Sequence, residues 1–165
     1  MVYIVILYIF SKLTIPVLKD KKKTKMEVYI AADHAGFRLK EEVKKFLKKK
    51  NNSVIDLGTK NTNSVDYPDY AHLLSKKIGK GKNQFGILVC GSGTGMSMVA
   101  NKYKNIRAAL CYNTKSTMLS RLHNNANVMA IGARLIKKNV ALRCVDVFLK
   151  TGFDGGRHLK RLKKF

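Results

Sequence analysis

The sequence is short of acidic residues, of cysteine and of uninterrupted apolar stretches, and each shortage narrows what the chain can be. Asp and Glu number 10 among 165 residues, against 33 Lys and Arg, for a formal charge of +23. Such an excess suits either a polyanion-binding protein or a lysine-rich surface laid over an ordinary fold. Many lysines fall in short clusters, Lys44-Lys45, Lys48-Lys49-Lys50 and Lys163-Lys164, without interleaved stacking aromatics, and no base-reading module accompanies them. A solvated surface is the expectation, and nucleic acid is not an expected partner. The three cysteines, Cys90, Cys111 and Cys144, are odd in number and lie in apolar runs. That argues against a disulfide framework and for a reducing, cytoplasmic compartment.

The apolar stretch from Met1 to Phe10 is interrupted by Ser11, Lys12 and Pro16 and closed by the basic tract from Lys19 to Lys25. It has neither the basic lead nor the small-residue end of a cleaved secretory signal, and it is broken too early for a confident membrane span. Residues 1–25 therefore read as an extension, dispensable or targeting, and Met26 as a natural internal start. Residues 26–165 read as one domain, since no internal repeat or low-complexity linker divides them.

From Val28 onward, strand-like and helix-like segments alternate. Apolar or β-branched runs occur at Val28–Ala32, Ser53–Leu57, Phe85–Val89, Arg107–Tyr112 and Val128–Ile131, each bounded by Gly, Asp or Asn. Between them apolar residues recur at helical spacing, as in Leu39, Val43, Phe46 and Leu47, and later in Val140, Ala141, Cys144, Val145 and Phe148. Runs without strict alternation suit strands covered on both faces. The pattern predicts an α/β fold, a three-layer α/β/α Rossmann-like domain with a five-stranded, mostly parallel sheet. Functional loops of such a fold leave the carboxyl ends of the strands near the switch point of the sheet.

The most informative loop is Cys90-Gly91-Ser92-Gly93-Thr94-Gly95, directly behind the third strand. Alternating glycines leave successive backbone N–H groups uncovered beside a thiol. A P-loop needs Lys and Ser/Thr after its last glycine, and Met96 and Ser97 stand there instead. The dinucleotide-binding glycine spacing is also absent, and a cysteine phosphatase would want an arginine where Met96 lies. What remains is a backbone anion hole beside a thiol, with a helix expected through Ser97–Lys102 to favour negative charge. That suits a base removing a carbon-bound proton while N–H groups hold the enolate oxygen. If the first and third strands are neighbours, Asp33 and His34 share this crevice with Cys90. Taken singly, Asp33 reads equally well as an N-cap for the helix beginning near Gly36, His34 as a surface loop residue and Cys90 as an apolar filler.

Seven motifs in order carry a more specific signal: Ala-Asp-His-Ala-Gly at 32–36, Asp-Tyr-Pro at 66–68, Cys-Gly-Ser-Gly-Thr-Gly-Met at 90–96, Ala-Asn-Lys at 100–102, Leu-His-Asn at 122–124, Gly-Ala-Arg at 132–134 and Gly-Gly-Arg-His-Leu-Lys-Arg at 155–161. Together, from about Met26 to the C-terminus, they resemble the type B ribose-5-phosphate isomerases. The resemblance implies an aldose–ketose isomerase of the non-oxidative pentose phosphate pathway that needs no cofactor and no metal. It would interconvert ribose 5-phosphate and ribulose 5-phosphate through a cis-enediolate. Relatives acting on allose 6-phosphate and galactose 6-phosphate share the fold, which leaves those hexose phosphates as alternative substrates.

On this resemblance Cys90 would be the base, Gly91, Ser92, Gly93, Thr94 and Gly95 the anion hole, and the Ser92 hydroxyl a proton carrier. His123 would be the ring-opening acid, assisted by Asn124, while Asp33 holds sugar hydroxyls and Tyr67 lines the substrate site. Arg157 and Arg161 are four apart, so on a helix they can grip one phosphate in fork geometry, though alone they read equally as a solvated helix. His34 and Arg134 would complete the phosphate cluster. Family members are homodimers with shared active sites, so His123, Asn124 and Arg134 are expected to serve the crevice built on the partner's Cys90, with a further pairing into a tetramer left open. Two departures stand out: Thr94 replaces an expected branched aliphatic residue, and Met96 stands where one branch of the family has a glutamate base. With methionine there, the base must be Cys90.

Overall fold

The computed structural model describes residues 26–79 and 83–164, so the extension inferred at 1–25 lies outside the described residues. Strands and helices alternate as β1 (Glu27–Ala32), α1 (Phe37–Lys49), β2 (Ser53–Asp56), α2 (Tyr67–Lys77), β3 (Gln84–Cys90), α3 (Thr94–Ala100), β4 (Ala108–Leu110), α4 (Thr114–Asn124), β5 (Val128–Gly132), α5 (Lys138–Lys150) and α6 (Gly156–Leu162). The sheet runs β2-β1-β3-β5-β4, and each of its four pairings is parallel. The expected three-layer α/β/α arrangement is therefore the observed one.

Side chains on a strand alternate between faces, and here both faces are buried. Val28, Ile30, Ile87, Val89, Met129 and Ile131 pack with Val43 and Leu47 of α1 and Ala141, Val145 and Phe148 of α5. The intervening residues Tyr29, Ala31, Leu88, Cys90, Val128 and Ala130 pack with Ala71 and Leu74 of α2 and Met96 and Ala100 of α3. Each fully buried Leu or Ile contributes on the order of 2 kcal/mol of apolar transfer free energy. The parity of the strand thus settles that Cys90 belongs to the α2 and α3 side.

Two strand ends differ from the sequence expectation. The fourth strand keeps three of the six residues from Arg107 to Tyr112, because it is an edge strand and the Arg107 N–H is drawn off to Asn127 Oδ1 at 2.8 Å. The second ends at Asp56 rather than Leu57, where the chain turns and the Gly58 N–H donates to Asp56 Oδ1 at 3.0 Å.

Lys40 of α1 is fully buried, which its neighbours in the lysine-rich sequence gave no reason to expect. Its Nζ donates to both carboxylate oxygens of Asp56 at 2.8 Å and to Glu41 at 2.9 Å, while Lys44 pairs with the same two acids. Asp56 in turn holds the turn at Gly58, whose carbonyl accepts the Ala32 N–H at 2.7 Å, and the Thr59 N–H donates to the Ala32 carbonyl at 2.8 Å. The ion pair therefore anchors the end of β1, the residue before Asp33.

Lys40→Ala removes a packed stem and leaves two carboxylates without their buried partner, so urea denaturation at pH 7 is expected to show a loss of about 3 kcal/mol. Burial pushes the Asp56 carboxyl up, but the hydrogen bonds from Lys40 and Lys44 outweigh it and hold the group below its ordinary range. A depressed native pKa means that the unfolded chain takes up the proton first. The stabilisation is thus complete above the unfolded value, about pH 4, and is lost as pH falls through the folded one. Stability should fall less steeply with acid in the variant; an unchanged acid slope would remove Asp56 from the account.

Candidate active site

β1 and β3 are paired in register up to Ala32 and Val89, so the residues that follow them emerge side by side. Asp33 donates its N–H to the Val89 carbonyl at 3.2 Å and accepts the Gly36 N–H on Oδ1 at 2.9 Å, so it closes the turn that precedes α1, whose N-cap is Gly36 and not the Asp33 that the sequence suggested. It also lines the crevice and is 7% exposed, so closing the turn leaves the residue at the site. A Cβ at Gly36 would lie 2.1 Å from the Val89 carbonyl oxygen, which explains why the turn carries glycine there. His34 is fixed through Nδ1, which lies 3.2 Å from both the N–H and the carbonyl of Val65.

The loop after β3 is shorter than expected. Gly93 takes a positive φ of 81°, open to glycine, and this reversal starts α3 at Thr94 rather than at Ser97. The Gly93 N–H donates to Cys90 Sγ at 3.1 Å and the Thr94 N–H to Ser92 Oγ at 3.3 Å. Part of the expected anion cradle is therefore turned onto the loop's own thiol and hydroxyl, orienting both. The loop is also bonded to the next strand end, with the Ala133 N–H on the Cys90 carbonyl at 2.8 Å and the Arg134 N–H on the Gly91 carbonyl at 3.0 Å. A Cβ at Gly91 would meet the Arg134 guanidinium at 3.2 Å, and one at Gly95 would meet the Tyr67 ring at 2.7 Å. Small residues let an arginine and an aromatic ring close over the thiol from either side.

These elements enclose a cavity of about 310 Å³ lined by Asp33, His34, Ala35, Tyr67, Cys90, Gly91, Ser92, Gly95, Arg134 and Leu135. It lies at the small end of the usual range for small-molecule sites. One carboxylate faces one guanidinium, an imidazole and a thiol, a set suited to a small polyhydroxylated anion. Arg134 lies in the crevice of its own chain, which corrects the expectation that it serves the partner's Cys90. Ala35 and Leu135 were not anticipated; each adjoins an anticipated residue, and that adjacency was their signal. The other two thiols lie in the core, and burial pushes Cys111 up to about 11, with Cys144 adding to the push and Thr117 and Ser120 opposing it.

The remaining site candidates gather elsewhere in the chain. His123 and Asn124 end α4, and Arg157 and Arg161 lie on α6, which packs against α4. None of the four lines the Cys90 cavity. Asn124 lines a separate cavity of about 660 Å³ beside β4, together with Arg107, Ser120 and Leu162. The His123 ring stacks on that of His158, a residue the sequence reading quoted within a motif without giving it a role. The anticipated phosphate cluster is thus split in one chain, with His34 and Arg134 in the crevice and Arg157 and Arg161 on α6.

The profile of the family described as Ribose/Galactose Isomerase matches residues 28–165. The chain is 44% identical over 138 residues to a probable ribose-5-phosphate isomerase B of Mycoplasma pneumoniae, covering 83% of this chain and 91% of that protein. The solved ribose-5-phosphate isomerase B of Clostridium thermocellum superposes with a TM-score of 0.82 at 45% identity, covering 84% of this chain and 94% of that one. The Mycoplasma genitalium ribose-5-phosphate isomerase B, solved with bound ribulose-5-phosphate, has a TM-score of 0.81 at 41% identity, covering 84% and 93%. With its sheet order, its thiol and glycine loop and these relatives agreeing over nearly the whole described chain, the protein belongs to the ribose/galactose isomerase family.

Proposed function

We propose that this chain interconverts ribose 5-phosphate and ribulose 5-phosphate, with Cys90 as the base. The observation that carries the reading is the Cys90 thiol, set at the end of β3, held by the Gly93 N–H at 3.1 Å and facing a cavity with Asp33, His34 and Arg134. A relative solved with ribulose-5-phosphate supports it.

The proton bookkeeping follows from these positions. With the sugar ring opened, the Cys90 thiolate takes the proton from C2 of the aldose and leaves a cis-enediolate with its charge on O1, to which the O2 proton then passes. With O2 now carrying the charge, the same thiol returns its proton to C1, so the ketose forms and the thiolate is regenerated with no net gain or loss of protons or electrons. In this reading the Ser92 hydroxyl carries the proton between the two oxygens, and the loop N–H groups not bonded to Cys90 Sγ and Ser92 Oγ offset charge on the intermediate. Asp33 and Tyr67 hold the sugar, while His34 and Arg134 take the phosphate.

His123, Asn124, Arg157 and Arg161 lie outside the cavity of their own chain, so we read the functional unit as a homodimer in which the partner's His123 opens the furanose, assisted by the partner's Asn124. The partner's Arg157 and Arg161 complete the phosphate grip. The proposed setting is the cytoplasm; among the described residues no helix is long and apolar enough to cross a membrane.

Four measurements test this reading. Cys90→Ala is expected to cut kcat for ribose 5-phosphate about a thousandfold while phosphate-ligand binding persists. Ribose 5-phosphate should exceed allose 6-phosphate and galactose 6-phosphate in kcat/KM for the parent enzyme; a clear hexose preference would replace the substrate, and retained turnover in the variant would replace the base. Coexpression of Cys90→Ala with His123→Ala should restore about a quarter of parental activity, because half of randomly mixed dimers carry one intact site of two. No restoration would place both residues in one chain's site. Iodoacetamide should modify Cys90 ahead of Cys111, since burial keeps the latter thiol protonated at neutral pH; the reverse order, read by peptide mass spectrometry, would contradict the assigned geometry.

A further inference from the structure

We infer that His158 is a positioning residue that holds the His123 imidazole in one orientation for ring opening. The inference rests on the ring-opening role proposed for His123. The two rings are parallel within 4°, with centroids 4.2 Å apart. His158 is 8% exposed, whereas His123 is half-buried, so one face of the His123 ring is covered by a buried partner while the side chain keeps part of its surface accessible. Two bonds set this register: the Asp154 N–H donates to the Leu122 carbonyl at 3.1 Å, and Arg121 Nε donates to the Thr151 carbonyl at 3.1 Å. Together they clamp the segment leading into α6 onto the end of α4, one residue from His123.

Donor atoms of His123, Asp154 and His158 all lie within 4.8 Å of one another, a grouping that resembles a cation site. The stacking argues against it. An imidazole nitrogen offers its lone pair in the plane of its ring, and an ion lying in one of two parallel stacked planes is far out of the other. The cluster is better suited to managing one proton. Two stacked imidazoles resist double protonation. Burial, reinforced by His123 on α4 and by Arg157 and Arg161 on α6, holds the His158 imidazole below the ordinary histidine range, with Asp154 of the connecting segment opposing. His158 thus resists protonation where it lies.

An acid that protonates a ring oxygen must meet it along one direction, and small misplacements cost large factors in rate. His158→Ala frees the His123 ring and is expected to lower kcat for ribose 5-phosphate about tenfold with KM changed by less than about twofold. His158→Phe keeps the aromatic stack and should recover most of that loss. A second readout isolates the step. Ribulose 5-phosphate has its O5 phosphorylated and cannot close a five-membered ring, so exchange of its C1 proton with solvent deuterium reports on proton transfer at Cys90 with no ring-opening step. In both variants, folded by circular dichroism, that exchange should stay within about twofold of the parent. Unchanged kcat in His158→Ala, absence of recovery in His158→Phe, or exchange falling in parallel with turnover would each overturn the inference. Absence of both turnover and exchange in the parent would instead overturn the isomerase reading.

Discussion

The crevice depends on β1 and β3 ending together. Parallel pairing brings the carboxyl ends of both strands to one side of the sheet, and Ala32 sits opposite Val89 at the last rung. The chain then has to turn away in two directions within a few ångströms, and it does so with Asp33 closing one turn and Gly93 reversing the other. Neighbouring carbonyls of β3 are bonded from both sides, by the Asp33 N–H and by the Ala133 N–H. Geometry of this kind sits on strand ends, from which the site loops leave.

The support for that geometry lies one layer back. The buried Lys40 ammonium holds Asp56, Asp56 holds the turn at Gly58, and Gly58 and Thr59 bond to the end of β1. On the other side, Arg121 spans Phe85 and Phe148 at 5.0 and 5.5 Å and bonds the Thr151 carbonyl, tying the α4 end to the segment that carries α6. Two buried cations therefore brace the two halves of the candidate site, while the other basic residues among the described ones are mostly at the surface. The halves are separate in one chain, and the chemistry proposed for them asks for both, which is the physical reason to read the functional unit as a pair of chains.

Much of this was legible in the residues. Apolar runs without alternation marked the strands to within a residue or two for β1, β3 and β5, because strands buried on both faces have little freedom in composition. Asp33, His34 and Cys90 were placed in one crevice from strand order alone, and the structure brings them there. The edge strand β4 was overestimated, since an apolar run shows β-propensity but not where a side-chain amide interrupts the ladder. The start of α3 was placed three residues late, since the reversal at Gly93 is a matter of φ and not of composition.

Sequence by itself determined the alternation of strands and helices, the thiol and its glycine loop, and the roster of polar residues able to handle a sugar phosphate, because local patterning and residue chemistry are carried by the chain directly. Tertiary structure decided which of those residues meet. It put Arg134 in its own chain's crevice, sent His123 and the two α6 arginines elsewhere, buried Lys40 among acids and laid His158 on His123. Those outcomes turn on packing between elements distant in sequence, where register and helix approach place side chains to within ångströms that no spacing along the chain specifies.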